Sequence, residues 1–158
     1  MCGITGYIDL KKGLNVSEIH LMTDSLAHRG PDGSDTYISE NGQYALGHRR
    51  LSFLDLSDAG KQPMKDNSEK VIITFNGEIY NFPELKKELD DDYDFKTSTD
   101  TEVILAGYRK WGIDVVHRLK GMFAFALLDE EKQQLYLVRD RFGIKPLYYT
   151  LQNDQLLF

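Results

Sequence analysis

Apolar residues fall into short runs separated by polar stretches. The clearest is Val71-Ile72-Ile73-Thr74-Phe75, β-branched and aromatic throughout, which predicts a buried strand ending at Asn76-Gly77. Ile4 and Ile8, with Gly3 and Gly6 between them, predict a strand over 2–9, and Lys11-Lys12-Gly13 a turn. Ser17 is placed to cap a helix running to about His28, with Ile19, Met22 and Leu26 on one face. Two strands are expected over 35–39 and 44–51, joined by Asn41-Gly42. Residues 57–68 are polar, contain Gly60 and Pro63, and read as loop. Asn81 with Glu84, and Thr99 with Glu102, have capping-box spacing for two helices. The first carries Leu85 and Leu89; the second carries Ile104, Tyr108 and Trp111 and stops at Gly112. The last third reads as strands over 122–129 and 135–138, a tight turn over 139–146 leading into Leu147-Tyr148-Tyr149, and a further strand beginning at Leu156. Strands at the two ends with helices between them imply an α+β layered sandwich, not alternating βαβ units.

Composition narrows the function. A chain of 158 residues suits one domain with a real core. A net charge of -6 argues against a nucleic-acid or anionic-membrane surface. A single cysteine excludes an internal disulfide framework and fits a reducing cytoplasm. No basic region followed by an apolar run opens the chain, and no apolar stretch approaches the roughly 20 residues that span a bilayer.

That one cysteine, Cys2, directly follows the initiator methionine. Removal of Met1 would leave a thiol and a free α-amine on one residue, with reference pKa values of about 8.5 and about 7.7–8.0. A neutral amine can then take the thiol proton, so nucleophile and base belong to the same residue. A small buried cysteine is the plainer alternative. Asn76-Gly77 reads either as a tight hairpin turn or as an oxyanion hole built from an amide and a backbone N–H. Arg49 and Arg50 are adjacent at a strand end and point to opposite faces; they read either as one solvated arginine and one structural ion pair, or as a guanidinium placed to grip a carboxylate in a bidentate fork. Asp100 is either a helix N-terminal charge or a ligand for a substrate ammonium. Asp90, Asp92 and Asp94 alternate like the start of a calcium loop, but Phe95 and Thr101 stand where glycine and glutamate are required. The four histidines have no zinc-type spacing, and no phosphate-cradling glycine loop occurs, so neither a metal nor a nucleotide site is expected.

Together these segments resemble a known family. Cys2-Gly3-Ile4, His28-Arg29-Gly30-Pro31-Asp32-Gly33, Gly47-His48-Arg49-Arg50-Leu51-Ser52, Asn76-Gly77-Glu78-Ile79-Tyr80-Asn81, Ser98-Thr99-Asp100-Thr101-Glu102 and the run from Arg139 through Lys145-Pro146 to Tyr149 occur in family order. They look like the glutaminase domain of glutamine-hydrolysing asparagine synthetases, a class II glutamine amidotransferase. The resemblance implies an N-terminal-nucleophile fold, a four-layer αββα sandwich of two antiparallel sheets, over residues 1–158. It implies Cys2 as nucleophile, Asn76 and Gly77 as oxyanion donors, Arg50 and Asp100 as readers of the α-carboxylate and α-ammonium of L-glutamine, and Leu51, Ser52, Phe53, Leu54 and Glu78 lining the pocket. It implies no cofactor and no metal for this domain. ATP and magnesium would belong to a C-terminal synthetase domain, which is absent here, and the glutaminase domain itself reads as unfinished at Phe158. No nucleic-acid or membrane partner is expected, and a homodimer is left open. Two rivals stand beside this reading: another N-terminal cysteine amidase, and a non-catalytic module that only binds a partner.

Overall fold

The computed structural model describes residues 1–11, 15–51 and 60–158. Its backbone forms two antiparallel sheets. Strand β1 (Gly3–Asp9) lies between β3 (Tyr44–Arg50) and β9 (Gln155–Leu157), and β2 (Gly33–Ile38) and β8 (Thr150–Gln152) form the edges of that sheet. The second sheet runs β4 (Met64–Lys65), β5 (Val71–Ile79), β6 (Gly121–Asp129) and β7 (Gln134–Arg139).

Side-chain alternation shows why the sheets stack. Ile72, Ala126 and Leu128 of the second sheet meet Tyr44 and Leu46 of the first, so successive residues of each strand serve opposite layers. The other face of β5 and β6 contributes Ile73, Phe75, Phe125 and Leu127 to a larger core. Helices α2 (Phe82–Leu89) and α3 (Asp100–Trp111) cover it with Leu85, Leu89, Ile104 and Tyr108. Helix α1 (Val16–Ser25) covers the outer face of the first sheet through Ile19, packed on Tyr7 and Ala45. The order helix, sheet, sheet, helix is the αββα sandwich expected.

Several local expectations are revised. The α1 cap is Asn15, whose side chain accepts from Ser17 N at 2.8 Å, and the helix ends at Ser25, before His28. Asn81 does not cap α2: its amide donates to Arg118 O at 3.0 Å and accepts from Lys120 N at 2.8 Å, tying the helix entry to the start of β6. Thr99 does cap α3, accepting from Glu102 N at 3.4 Å, while the Glu102 carboxylate turns back to Lys96 N and Thr97 N. Met64–Lys65, inside the expected loop, pairs with β5. Leu147-Tyr148-Tyr149 is irregular, and the strand expected to begin at Leu156 is the inner strand β9, bonded to both β1 and β8.

Candidate active site

Cys2 stands just before β1, where the Gly3–Arg49 register carries it to the end of β3. Leu51 N points at the Cys2 sulfur at 3.4 Å, and Arg29 Nε donates to Cys2 O at 3.1 Å. The loop that delivers Arg29 packs flat on β3: a Cβ on Gly30 would overlap the Arg49 carbonyl, and Asp32 N donates to Arg50 O at 3.0 Å.

The two arginines separate as strand geometry requires. Arg49 turns outward to α1, pairing with Asp24 at 2.6 Å and donating to Thr23 O at 3.2 Å. Arg50 turns inward, and its guanidinium lies against Gly60, where a Cβ would stand 2.6 Å from a terminal nitrogen. On the facing sheet, Thr74 points inward and donates to Gly47 O at 3.1 Å. Asn76, two residues on, shares that face and is buried. Asn76-Gly77 is not a turn. β5 passes straight through it, Asn76 opposite Ala124 and Gly77 opposite Phe123, and continues to Ile79. Gly77 has to be glycine for proximity: a side chain there would overlap Met122 O and the Phe123 backbone.

Asp100 opens α3 and is buried, and its Oδ2 accepts from Ile79 N at 2.9 Å. Burial pushes its carboxyl up to about 6; Glu78 adds to the rise and backbone N–H donors oppose it. A buried carboxylate of this kind favours a cation arriving beside it. His48, also buried, sits 3.2 Å from Phe75 O. A carbonyl only accepts, so Nε2 carries the proton. Burial, with Arg50 nearby, pushes His48 down to about 4. It is a neutral strut between the sheets, not a base. Gln62 is a second strut, accepting from Phe75 N at 2.7 Å and donating to Thr101 Oγ1 at 3.2 Å.

Cys2, Arg50, Leu51, Asn76, Gly77, Glu78 and Asp100 thus border one cavity of about 320 Å³. Ser52, Phe53 and Leu54 lie outside the described residues. Among the described residues no three His, Cys, Asp or Glu side chains group to hold a metal ion. Asp92 of the acidic run pairs with Lys110 at 2.6 Å.

A family model described as the glutamine amidotransferase domain matches residues 1–158. The chain belongs to the glutamine amidotransferase family. It is 44% identical over 163 residues to asparagine synthetase [glutamine-hydrolyzing] 1 of Bacillus subtilis, covering 100% of this chain and 25% of that protein. It is 39% identical over 170 residues to amidase chry2 of Gibberella zeae, covering 99% of this chain and again 25% of the relative. The chain therefore spans a quarter of the length of these relatives. Glutamine phosphoribosylpyrophosphate amidotransferase from B. subtilis, solved with ADP and GMP, superposes with a TM-score of 0.82 at 20% identity, over 99% of this chain and 41% of that one. At that identity the likeness is one of fold: the two chains share this sandwich. No described helix of this amidotransferase domain is long and apolar enough to cross a membrane.

Among the groups bordering the amidotransferase cavity that the sequence did not single out are His48, Gln62 and Lys145. His48 alternates with Leu46 and Arg50 on one face of its strand, a signal that it points inward. Lys145 is flanked by Ile144 and Pro146, an apolar setting unusual for a solvated lysine. Gln62 carries no comparable local signal.

Proposed function

We propose that this domain hydrolyses L-glutamine to L-glutamate and ammonia through a thioester on Cys2, once Met1 has been removed. The observation that carries the reading is the convergence of one thiol, one inward arginine, one buried aspartate and Asn76-Gly77 on a single cavity. The Cys2 α-amine takes the thiol proton, and the thiolate attacks the side-chain amide carbon. The Asn76 amide and Gly77 N–H receive the oxyanion. The carbon–nitrogen bond breaks, the Cys2 ammonium returns its proton to the leaving nitrogen, and ammonia departs. Water then attacks the thioester, giving glutamate and regenerating the thiol. Arg50 grips the α-carboxylate with its planar fork and Asp100 meets the α-ammonium. Leu51 and Glu78 wall the pocket.

In this reading residues 1–158 are the ammonia-supplying part of a longer chain, and a C-terminal synthetase domain amidates aspartate. ATP and magnesium belong to that second domain. The share of each relative left uncovered supports such a partner domain, and the single cysteine supports a cytoplasmic setting.

A glutamine-mimicking diazoketone tests the proposal, because it needs both an active thiolate and a pocket that reads an α-amino acid. Intact mass should show one adduct on chains beginning at Cys2, slowed by excess glutamine, and none on chains that keep Met1 or on Cys2→Ala. Equal labelling of Met1-bearing and processed chains would remove the N-terminal nucleophile from the mechanism.

A further inference from the structure

Lys145 is buried, only 6% exposed, at the end of the segment 140–145 that follows β7. Lysine is rarely buried without an anionic partner. Here no carboxylate pairs with its ammonium among the described residues, and the contact it makes is Nζ to Met1 Sδ at 3.2 Å. A thioether sulfur is a weak acceptor and does little to balance a buried charge.

The backbone is nonetheless clamped so that the side chain must point there. The Asp140 carboxylate accepts from Phe142 N at 3.1 Å, Ile144 N at 3.0 Å and Lys145 N at 3.0 Å, and also from Phe123 N of β6 at 3.2 Å. Arg139 closes the loop from the other side, donating to Gly143 O at 2.7 Å and Lys145 O at 2.8 Å. The loop therefore holds one cation against the first residue of the chain, on the cavity that Cys2 borders.

We propose that Lys145 is a positioning residue for the nucleophile: its ammonium keeps the Cys2 α-amine neutral and favours the thiolate. This rests on the N-terminal-nucleophile reading above. With Met1 gone, Lys145 and the residue that carries the new amine still border one cavity. Two ammonium groups on one cavity disfavour each other, so the amine loses its proton at lower pH and is ready as a base near neutrality. The same charge attracts the thiolate. The other charged or titratable groups on this cavity are His48 and Arg50 from β3, Glu78 from β5 and Asp100 from α3, with Arg29 touching Cys2 from the loop before β2. Arg50, Glu78 and Asp100 stay present in a Lys145 variant, so their contribution to the Cys2 titration is held constant.

The test compares wild type, Lys145→Met and Lys145→Arg, all beginning at Cys2. Each is alkylated with iodoacetamide, which ignores the groups that read an amino acid, from about pH 5 to about pH 9. Lys145→Met should move the midpoint up by about one pH unit and slow labelling at pH 7 about tenfold, whereas Lys145→Arg should stay near wild type. A Lys145→Met profile that superimposes on wild type overturns the proposal, because a merely structural lysine has no reason to move a titration. An ¹⁵N titration of the wild-type Cys2 amine needs no variant: a pKa at or above the ordinary range of about 7.7–8.0 overturns it as well. Met1-bearing wild type serves as the control. If it alkylates with the same profile as the processed chain, the N-terminal-nucleophile reading falls and takes this proposal with it. A superimposed Lys145→Met profile on Met1-sensitive chains overturns this proposal alone.

Discussion

The chain contains the dipeptide Asn-Gly twice, and the two copies adopt different structures. At Asn41-Gly42 it is a hairpin turn: Gly42 has φ +69°, Gly42 N donates to Ser39 O at 2.8 Å, and the Asn41 side chain accepts from Gln43 N at 3.0 Å. At Asn76-Gly77 the same two residues lie inside a nine-residue strand, paired across to β6. The local chemistry is identical, so the partners decide. Residues 39–43, between β2 and β3, carry no apolar side chain to bury in a continued strand. β5 finds Phe123 and Ala124 waiting opposite, His48 on the Phe75 carbonyl and Asp100 on the Ile79 N–H. A turn there would leave those buried groups unpaired, at roughly 1–3 kcal/mol each. Tertiary partners thus convert a turn-forming amide into a buried one aimed between two sheets.

The largest separation between the copies should appear in catalysis. Asn76→Ala is expected to lower kcat by roughly 10²–10³-fold with little change in glutamine binding, the usual loss for one oxyanion donor. Asn41→Ala should leave glutaminase kinetics at wild-type values. Ammonia release measured under saturating glutamine distinguishes them, and wild-type turnover by Asn76→Ala would return the second copy to a purely structural role.

The glycines should differ less, and in kind. At Gly77 a new Cβ meets the Phe123 Cα and Cβ at 2.7 and 2.8 Å, so strand β5 or β6 must shift, at roughly 1–3 kcal/mol. At Gly42 there is open space, but the left-handed φ costs an alanine roughly 1–2 kcal/mol. Melting curves should therefore show similar losses for Gly77→Ala and Gly42→Ala. Activity per folded molecule should fall more than tenfold for Gly77→Ala alone, because a strand displacement of even a fraction of an ångström moves a donor off its target. Full activity in Gly77→Ala would mean that the cavity tolerates movement of β5.

These contrasts show what could be read from residues and what could not. Strand alternation placed Arg49 and Arg50 on opposite faces without any structure, because period 2 is a property of the backbone. The α+β class followed from where helices and strands fall along the chain, and the order of the layers from the family resemblance. Asn81 was legible as a helix-start residue but not as a clasp on Lys120, because its partner is 39 residues away. Gln62 was invisible for the same reason: it is defined by Phe75 and Thr101, one on a strand and one on a helix. Residue chemistry suggested what Cys2, Arg50, Asn76 and Asp100 could do, and each kept a plainer alternative until the six family segments were taken together. Burial, which sets the state of Asp100 and His48, has no sequence signal of its own.

The smallest predicted effect lies in how pH acts on the two anchors of the second copy. His48 titrates at 6.5 when unfolded and at about 4 when folded. As pH falls through that interval the unfolded chain takes up a proton the folded one refuses, so stability drops. Asp100 has the opposite sign: 3.8 unfolded and about 6 folded, so the folded state takes up the extra proton and stability rises as pH falls from 6 to 3.8. Asp66, Asp129 and Asp140 are held below 3.8 by hydrogen bonds that outweigh their burial, and so act below this window. Wild-type stability should therefore vary little between pH 4 and 6. Asp100→Asn keeps an acceptor for Ile79 N but removes the rising half. It should be more stable than wild type at pH 7, by on the order of 1 kcal/mol, while losing glutamine binding, and its stability should fall by about 1 kcal/mol per unit between pH 6 and 4. The Asn41-Gly42 turn is fastened by Ser39, Asn41 and Gln43, none of which titrates, so its amide protection factors, with the intrinsic pH dependence of exchange divided out, should carry no pH step from these contacts. Thermal melts of wild type and Asp100→Asn across this range test the pair. Parallel curves for the two proteins would show that Asp100 is ionised and solvated in the folded state, and would remove the buried carboxylate from the site.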